Sequence, residues 1–543
     1  MKKKNYNFIF IIVLLFIVSI SSCVDTWDSH YSSVSEQKSD LNLYAYINSQ
    51  DTLKDFAKMI KIAGYDTILN QTQTYTVWTP VNSVALKDLL LANDTGRIRE
   101  VVENHITRFS YTTSGLSAKK VLMLDNKSVV FAGNGTSFTF GGHNLINSKS
   151  NIATSNGIVH FIDNYVPYMT SILDYISRTK GLDSLKAYFN SNDKKTFDLA
   201  GSGVSIGVDA NGQLLYDSVF IPTNKILNRL GSLKVEDSLY TAILPNNAAW
   251  TEAYERIKPS FNALPADGGA VKQRKNTQWA IVQDIIFRKQ IANPASYDSL
   301  VSTTGSVFHQ PAYLFDGAAI PASNGLIYVN SLMKHKAADS WQKEIRVEAE
   351  YQTFSDATSF QSFDFTARSS YNPLFDISKN GYLYAKNLST SSLIMPFLKL
   401  NIPGTLSAKY NIKCVFAPGS VVDTTDKRPS KVKFYLTYID NTGKLIVDAP
   451  IDANNNVAPT LKSDGKTYTT AAGIFTTNAT TMTKMFVTQF QFPFTNLYDE
   501  DNRLTYAVAV KLKVESVAPR EGAVNIKFNR DLRVDCIILE PVQ

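Results

Sequence analysis

Two short blocks of this chain occur twice, in the same order and at nearly the same separation. Tyr75-Thr76-Val77-Trp78-Thr79-Pro80-Val81-Asn82 returns as Tyr240-Thr241-Ala242-Ile243-Leu244-Pro245-Asn246-Asn247, with Tyr, Thr, Pro and Asn matching at a spacing of 165 residues. Ser155-Asn156-Gly157-Ile158-Val159-His160-Phe161-Ile162 returns as Ser323-Asn324-Gly325-Leu326-Ile327-Tyr328-Val329-Asn330 at a spacing of 168. Upstream, Tyr46-Ile47 and Leu53 answer Tyr175-Ile176 and Leu182. Ordered blocks at near-constant separation mean duplicated domains. A length of 543 residues leaves room for three or four domains.

Each block reads as structure. Tyr75 to Trp78 is a short strand, and Pro80, which has no N–H to give a ladder, ends it. Asn82 is placed to cap the helix expected from Val84, Ala85, Leu86, Leu89 and Leu90. Asn156-Gly157 is a turn leading into an alternating strand. Ile98, Val101, Val102 and His105 share one face of a further helix. These residues are punctuation and core; none is a nucleophile.

The two blocks resemble the signature segments of the fasciclin domain, a Thr-Val-Phe-Ala-Pro-Thr-Asn-like strand and an Asn-Gly-Val-Val-His-like strand about 80 residues later. Here the intervals are 80 residues (Tyr75 to Ser155) and 83 (Tyr240 to Ser323). The resemblance places the family's central histidine at His105, and covers roughly residues 41–335. The second copy departs from it: Asp284-Ile285-Ile286-Phe287 has no histidine, and Tyr328 stands opposite His160. It also carries an insertion near 190–235, with a hairpin turn at Asp209-Ala210-Asn211-Gly212 and a strand at Phe220 to Asn224. Pro259 to Lys275 reads as a surface loop.

The N-terminus addresses the chain to an envelope. Lys2, Lys3 and Lys4 precede an apolar run from Phe8 to Ile20 that ends at Ser21-Ser22-Cys23, the pattern of a secretory signal peptide. An uncleaved anchor is the other reading, but the run is shorter than the ~17–25 residues a spanning helix needs. The small residues before Cys23 resemble the lipobox of bacterial lipoproteins, which implies lipidation of Cys23 and removal of residues 1–22. Several acyl chains would anchor the protein firmly, at ~0.8 kcal/mol per buried methylene. The residue after Cys23 is Val24, not aspartate, which by the same resemblance favours the outer membrane. Residues 23–40 read as a tether, in which Trp27-Asp28-Ser29-His30-Tyr31 either docks on a neighbour or packs on the first domain. Losing three lysines lowers the formal charge from +7 to +4, which gives no reason to invoke nucleic acid.

From Glu344 onward the pattern alternates. Ile345-Val347-Ala349, Tyr410 to Phe416, Phe434 to Tyr438, Phe486 to Phe492, Leu504 to Val514, Ala523 to Phe528 and Val534 to Ile538 read as strands of an all-β sandwich. Val347-Glu348-Ala349-Glu350 and Arg533 to Glu540 resemble the first and last strands of galactose-binding-like jelly rolls, many of them carbohydrate-binding modules. Cys414 and Cys536 point inward by parity, as two buried thiols or as a bridge if their Cα atoms lie within ~7 Å.

The expected organisation is therefore a multidomain chain: signal peptide 1–22, tether 23–40, α+β fasciclin-like domains 41–168 and 169–338, and a jelly-roll-like sandwich 339–543. Candidate chemistry is sparse. His30, His105, His143, His160, His309 and His335 form no metal-ligand spacing, and His105 reads as a core histidine bonded to backbone. Gly201-Ser202-Gly203 lacks the strand–helix context of a nucleophile elbow. Asp499, Glu500 and Asp501 form the densest acidic cluster, either a calcium site or a solvated turn. No catalytic residue and no cofactor other than that calcium is expected. The whole resembles fasciclin-containing lipoproteins of Bacteroidota, which implies a non-catalytic surface role: adhesion, or an accessory subunit beside a transporter barrel and companion lipoproteins of a glycan-uptake system. Glycan capture is the alternative, and a glycan hydrolase with paired carboxylates a more distant one.

Overall fold

The computed structural model describes residues 38–233, 235–236, 238–351, 355–358, 363–370, 374–387, 395–497, 508–517 and 527–542. Cys23, His30 and the calcium candidates Asp499, Glu500 and Asp501 lie outside them, as does most of the strand expected from Ala523. Among the described residues no helix is long and apolar enough to cross a membrane. The chain divides into two compact units, one of Met1–Tyr175 with Leu233–Leu239 and Pro321–Gly325, the other of the remaining residues.

In the first unit the two signature blocks are neighbours. Tyr75–Pro80 pairs in parallel with Gly157–Ile162, Tyr75 opposite Gly157 and Pro80 opposite Ile162. Antiparallel Ile106–Arg108 and Ile152–Thr154 complete a four-stranded sheet. Both faces of this sheet are covered, so Tyr75–Pro80 is buried along its whole length. Val77, Val159 and Phe161 pack with Leu43, Ile47, Phe56, Ile60, Ile98 and Val102 from helices Leu43–Ser49, Lys54–Ile62 and Thr95–Glu103. On the other face Trp78 and Ile162 pack with Val121, Phe131 and Phe140, which come from a meander of Ala118–Leu122, Ser128–Gly133, Phe138–Phe140 and His143–Asn144. Trp78 stacks on Phe140 at 4.2 Å and meets Phe131 edge-on at 5.2 Å.

The second repeat builds a sheet of the same order: Ile286–Arg288, Tyr240–Pro245, Gly325–Asn330, Ile320–Ala322. Its insertion forms two small hairpins, Asp193–Phe197 with Phe220–Asn224 and Gly207–Val208 with Leu214–Leu215. Asp209 holds the expected turn by accepting Asn211 N and Gln213 N.

Three expectations are corrected. Asn82 does not cap the helix Val84–Ala92; Ser83 does, accepting Leu86 N. Asn82 is one residue too early and instead accepts Asp55 N (3.0 Å) and donates to Asp51 O (2.8 Å). Pro259 to Lys275 is not a loop throughout. Two short 3-10 turns lead into the helix Gly269–Val282, whose first turn is tied down by Lys272 Nζ on Asp267 (2.7 Å). His105 lies two residues past the helix Thr95–Glu103 instead of within it.

The C-terminal part is a sandwich of two antiparallel sheets, as the alternation requires. One runs Phe363–Ser369, Gly381–Asn387, Leu532–Pro541, Lys409–Phe416, Thr483–Gln491, with Ile345–Glu348 also on Leu532–Pro541. The other runs Ser355–Thr358, Phe397–Asn401, Lys511–Ser516, Lys431–Ile439, Leu445–Pro450, with Phe475–Thr476 on Lys431–Ile439. Cys414 and Cys536 are both buried and both free thiols.

Candidate functional site

The repeated side chains are spent on backbone, and the two copies spend them alike. Thr76 Oγ1 donates to Phe109 O and accepts Tyr111 N (2.8 and 2.9 Å); Thr241 Oγ1 does the same with Lys289 O and Ile291 N. Each threonine thereby secures a bend through a left-handed non-glycine residue, Phe109 (φ 73°) or Lys289 (φ 76°). Asn82 and Asn247 are equivalent: Asn247 accepts Ser184 N (3.0 Å) and donates to Asp183 (2.9 Å), again holding the start of the preceding helix. Asn156 accepts Leu43 N and donates to Leu69 O and Gln71 O; Asn324 accepts Ile172 N and donates to Leu233 O. Gly157 has no room for a side chain, since a Cβ there would lie 2.1 Å from Tyr75 O. Gly325 opens the matching strand, Pro80 and Pro245 close theirs, and Tyr240 Oη accepts Ser232 N.

Neither His105 nor His160 is available for chemistry. His105 Nδ1 meets Val101 O at 2.6 Å and its Nε2 accepts Val166 N at 2.9 Å, which fixes the Nδ1–H tautomer. His160 Nε2 donates to Tyr111 O (2.9 Å) while Nδ1 accepts Asn151 N (3.3 Å). Both rings are fully buried, and burial pushes each down to about 4. In the second repeat Tyr328 Oη donates to Ile291 O at 2.8 Å. Ile291 corresponds to Tyr111, so a phenol makes the bond an imidazole makes in the first copy. The departure at Tyr328 is a replacement in kind.

One cluster that sequence reading missed has the makings of a cation centre. Glu348, Asp535 and Cys536, all buried, present ligand atoms within 4.8 Å of one another. Glu348 Oε1 accepts Ser378 Oγ (2.7 Å) and Asp535 accepts Ser378 N (3.1 Å). Glu348 Oε2 and the neighbouring Glu350 Oε2 are buried without a partner. Glu350 reaches this place because Gly381 lacks a side chain; a Cβ there would sit 2.5 Å from Glu350 Oε1. Burial, with the charges of Glu348 and Glu350 adding to it, pushes Asp535 up to about 7. Burial also pushes the Cys536 thiol up, so the usable donors at neutral pH are carboxylate oxygens, which suit Ca²⁺ better than Zn²⁺. Orphaned carboxylate oxygens in the interior fit such an ion. Local pattern hid it: Glu348 and Asp535 alternate with Val347, Ala349, Val534 and Cys536 and so read as outward strand positions, yet both are buried.

His143 lies near Asp163 (3.6 Å) and His309 is exposed; among the described residues the histidines join no metal-ligating group. Ser202 donates to Asp198 O within the insertion and serves its turn.

Residues 51–166 match the Fasciclin domain family, and the strand pairing described above is that of this matched segment. Over 128 residues the chain is 27% identical to the transforming growth factor-beta-induced protein ig-h3 of the pig, Sus scrofa. That stretch is 22% of this chain and 19% of the relative, so the chain spans about a fifth of the relative's length. Among solved structures it is similar to a FAS1 domain pair from the insect cell adhesion molecule Fasciclin I, at 14% identity over 53% of this chain and 98% of that one, TM-score 0.20. It is also similar to the C-terminal family 22 carbohydrate-binding module of Clostridium thermocellum Xyn10B, at 14% identity over 37% of this chain and 87% of that one, TM-score 0.17.

Proposed function

We propose that this is a non-catalytic surface protein, fastened to the outer membrane through lipid on Cys23, that works in adhesion or as an accessory subunit of a glycan- or nutrient-uptake complex. The observation that carries the non-catalytic part is the occupancy of the motif side chains. His105, His160, Thr76, Thr241, Asn156 and Asn324 are all bonded to backbone. A general base needs a ring nitrogen within reach of substrate and a pKa near the working pH; both imidazoles have neither. The fasciclin domain at residues 51–166 supports the adhesive half of the reading, and the lipobox-like Ser21-Ser22-Cys23 supports the anchor.

The test is recovery from native membranes in mild detergent. A transporter barrel and companion lipoproteins should co-purify with the wild-type chain and be lost with Cys23→Ser, whose product should also fail to take up labelled palmitate. A Cys23→Ser chain that stays with the membrane, or a wild-type chain that recovers no partner, refutes the reading. Glycan capture is a second reading, favoured by a polar pocket of the second unit lined by Arg229, Trp279, Gln283, Thr304, Ser306 and Lys343.

A further inference from the structure

A lysine and two acids meet inside the first unit. Lys127 lies in the turn between Ala118–Leu122 and Ser128–Gly133, where Asp125 Oδ1 accepts its N–H and Met123 N donates to its carbonyl (2.8 Å each). Asp174 belongs to the helix Ile172–Arg178, and Glu236 to the segment Leu233–Leu239 that packs into the same unit. Lys127 Nζ stands 2.8 Å from Asp174 Oδ2 and 2.9 Å from Glu236 Oε1. Lys127 and Glu236 are buried, and Asp174 is half-buried.

One buried cation does not need two anions, and the second anion is half idle. Glu236 Oε1 accepts Lys127 Nζ and Ser323 Oγ (3.0 Å), while Oε2 is buried without a partner. An idle carboxylate oxygen in the interior is costly, and it is where a proton can land. Asp174 is equipped differently. Its Oδ2 accepts Ser171 Oγ (2.8 Å) and Ser171 N (3.2 Å) as well as the lysine. Those two donors are aimed at the oxygen that gains charge if Cγ becomes tetrahedral. An amine hydrogen-bonded to Oδ2 is already close to the about 3–3.5 Å from Cγ at which attack begins.

The protons needed are on hand. Burial pushes Lys127 down and its two carboxylate partners more than reverse this; burial pushes Asp174 up, and Lys127 and Ser171 more than reverse that. The cluster therefore rests as an ion triad. A neutral amine, the nucleophilic form of lysine, arises by moving one proton from Nζ to a carboxylate, with no exchange with solvent.

We propose that Lys127 and Asp174 are joined by an isopeptide bond, Nζ to Cγ, formed with Glu236 as the acid–base group. Glu236 takes a proton from the ammonium and the amine attacks Cγ. Oδ2 carries the negative charge of the intermediate against the Ser171 donors. A second proton leaves the nitrogen by way of Glu236, both protons end on Oδ1, and Oδ1 departs as water. The C–N bond replaces a C–O bond, nothing is oxidised or reduced, and Glu236 ends as it began. The bond forms once per chain, so slow chemistry suffices. It closes a loop between positions 47 apart and ties the meander of the first repeat to the helix that follows it, a restraint of the kind a disulfide gives. It stands whether the protein serves adhesion, assembly or glycan capture.

The test is mass spectrometry of the full chain after denaturation and trypsin. An amidated Lys127 resists cleavage, so residues 121–149 should appear linked to residues 150–178, one water lighter than the two together. K127R should abolish the linked species. E236Q should lower its fraction about tenfold or more at a fixed time after synthesis, with the far-UV circular dichroism of the wild type. A wild-type digest that releases 121–127 and an unmodified 150–178 overturns the proposal, whatever the variants do. A link to the peptide holding Glu236, or an E236Q chain that links as fast as the wild type, overturns the roles assigned to the two acids.

Discussion

Acid should loosen the first repeat, and its two buried histidines set by how much. An imidazole titrates near 6.5 in the unfolded chain and at about 4 at His105 and His160. Between these values the unfolded chain binds more protons than the folded one, so stability rises with pH through this window. It is fully present above about 6.5 and is lost on the way down to about 4. At pH 4.5 each histidine then withdraws about 2 to 3 kcal/mol, and the pair roughly 5 kcal/mol, a large part of the 5–15 kcal/mol that holds a domain together. The measurement is hydrogen exchange of Thr76, Val77 and Trp78, corrected for intrinsic rate, at pH 7.5 and 4.5 in the full chain. The second repeat supplies the control. Where the first has Trp78 and His160 it has Ile243 and Tyr328, so W78I/H160Y transplants a pair of comparable total volume that still reaches the Tyr111 carbonyl. This variant should keep its protection at pH 7.5 and lose about half of the acid effect. Equal protection at both pH values in the wild type, or an undiminished acid effect in the double variant, would refute the account of these histidines as neutral structural groups.

Asn156→Ala strands two buried backbone groups, Leu43 N and Leu69 O, and the part-buried Gln71 O, and should cost roughly 3 kcal/mol, read by urea unfolding of the first unit. Gly157→Ala drives a Cβ against Tyr75 O and should split the parallel pair at a cost of at least about 3 kcal/mol, visible as lost exchange protection in both strands. Calcium at about a hundred times its dissociation constant should stabilise the sandwich by about 2.7 kcal/mol at pH 7.5. Glu348→Ala should abolish that gain, and a calorimetric scan that is blind to calcium and chelator refutes the cation centre.

Much of this was legible in the residues. The paired signature blocks, the insertion's hairpin turn, and most sandwich strands from Ile345 onward follow from local pattern, because period-two alternation and turn residues act over a few positions. Helix starts were less so: Ser83 and Asn82 are both good caps, and the choice of Ser83 rests on where the chain leaves the strand at Pro80. The helix Gly269–Val282 was hidden by a start rich in glycine and charge, and it forms because its buried end, Thr277 to Val282, has a core to pack against.

The chain's own order determined that the two pairs of blocks would build sheets of like strand order and that a sandwich would follow, and that the motif residues would be structural, since these follow from spacing and from what each side chain can bond nearby. Only the tertiary structure decided which distant groups share a site. Glu348 and Asp535 stand 187 positions apart in the chain, and Arg229 meets Lys343 across four segments of the second unit. Long-range pairing brings such groups together, and no local pattern encodes it. The same holds for Tyr328, whose equivalence to His160 is invisible as chemistry in the sequence and plain once both are seen to donate to matching carbonyls, Ile291 O and Tyr111 O.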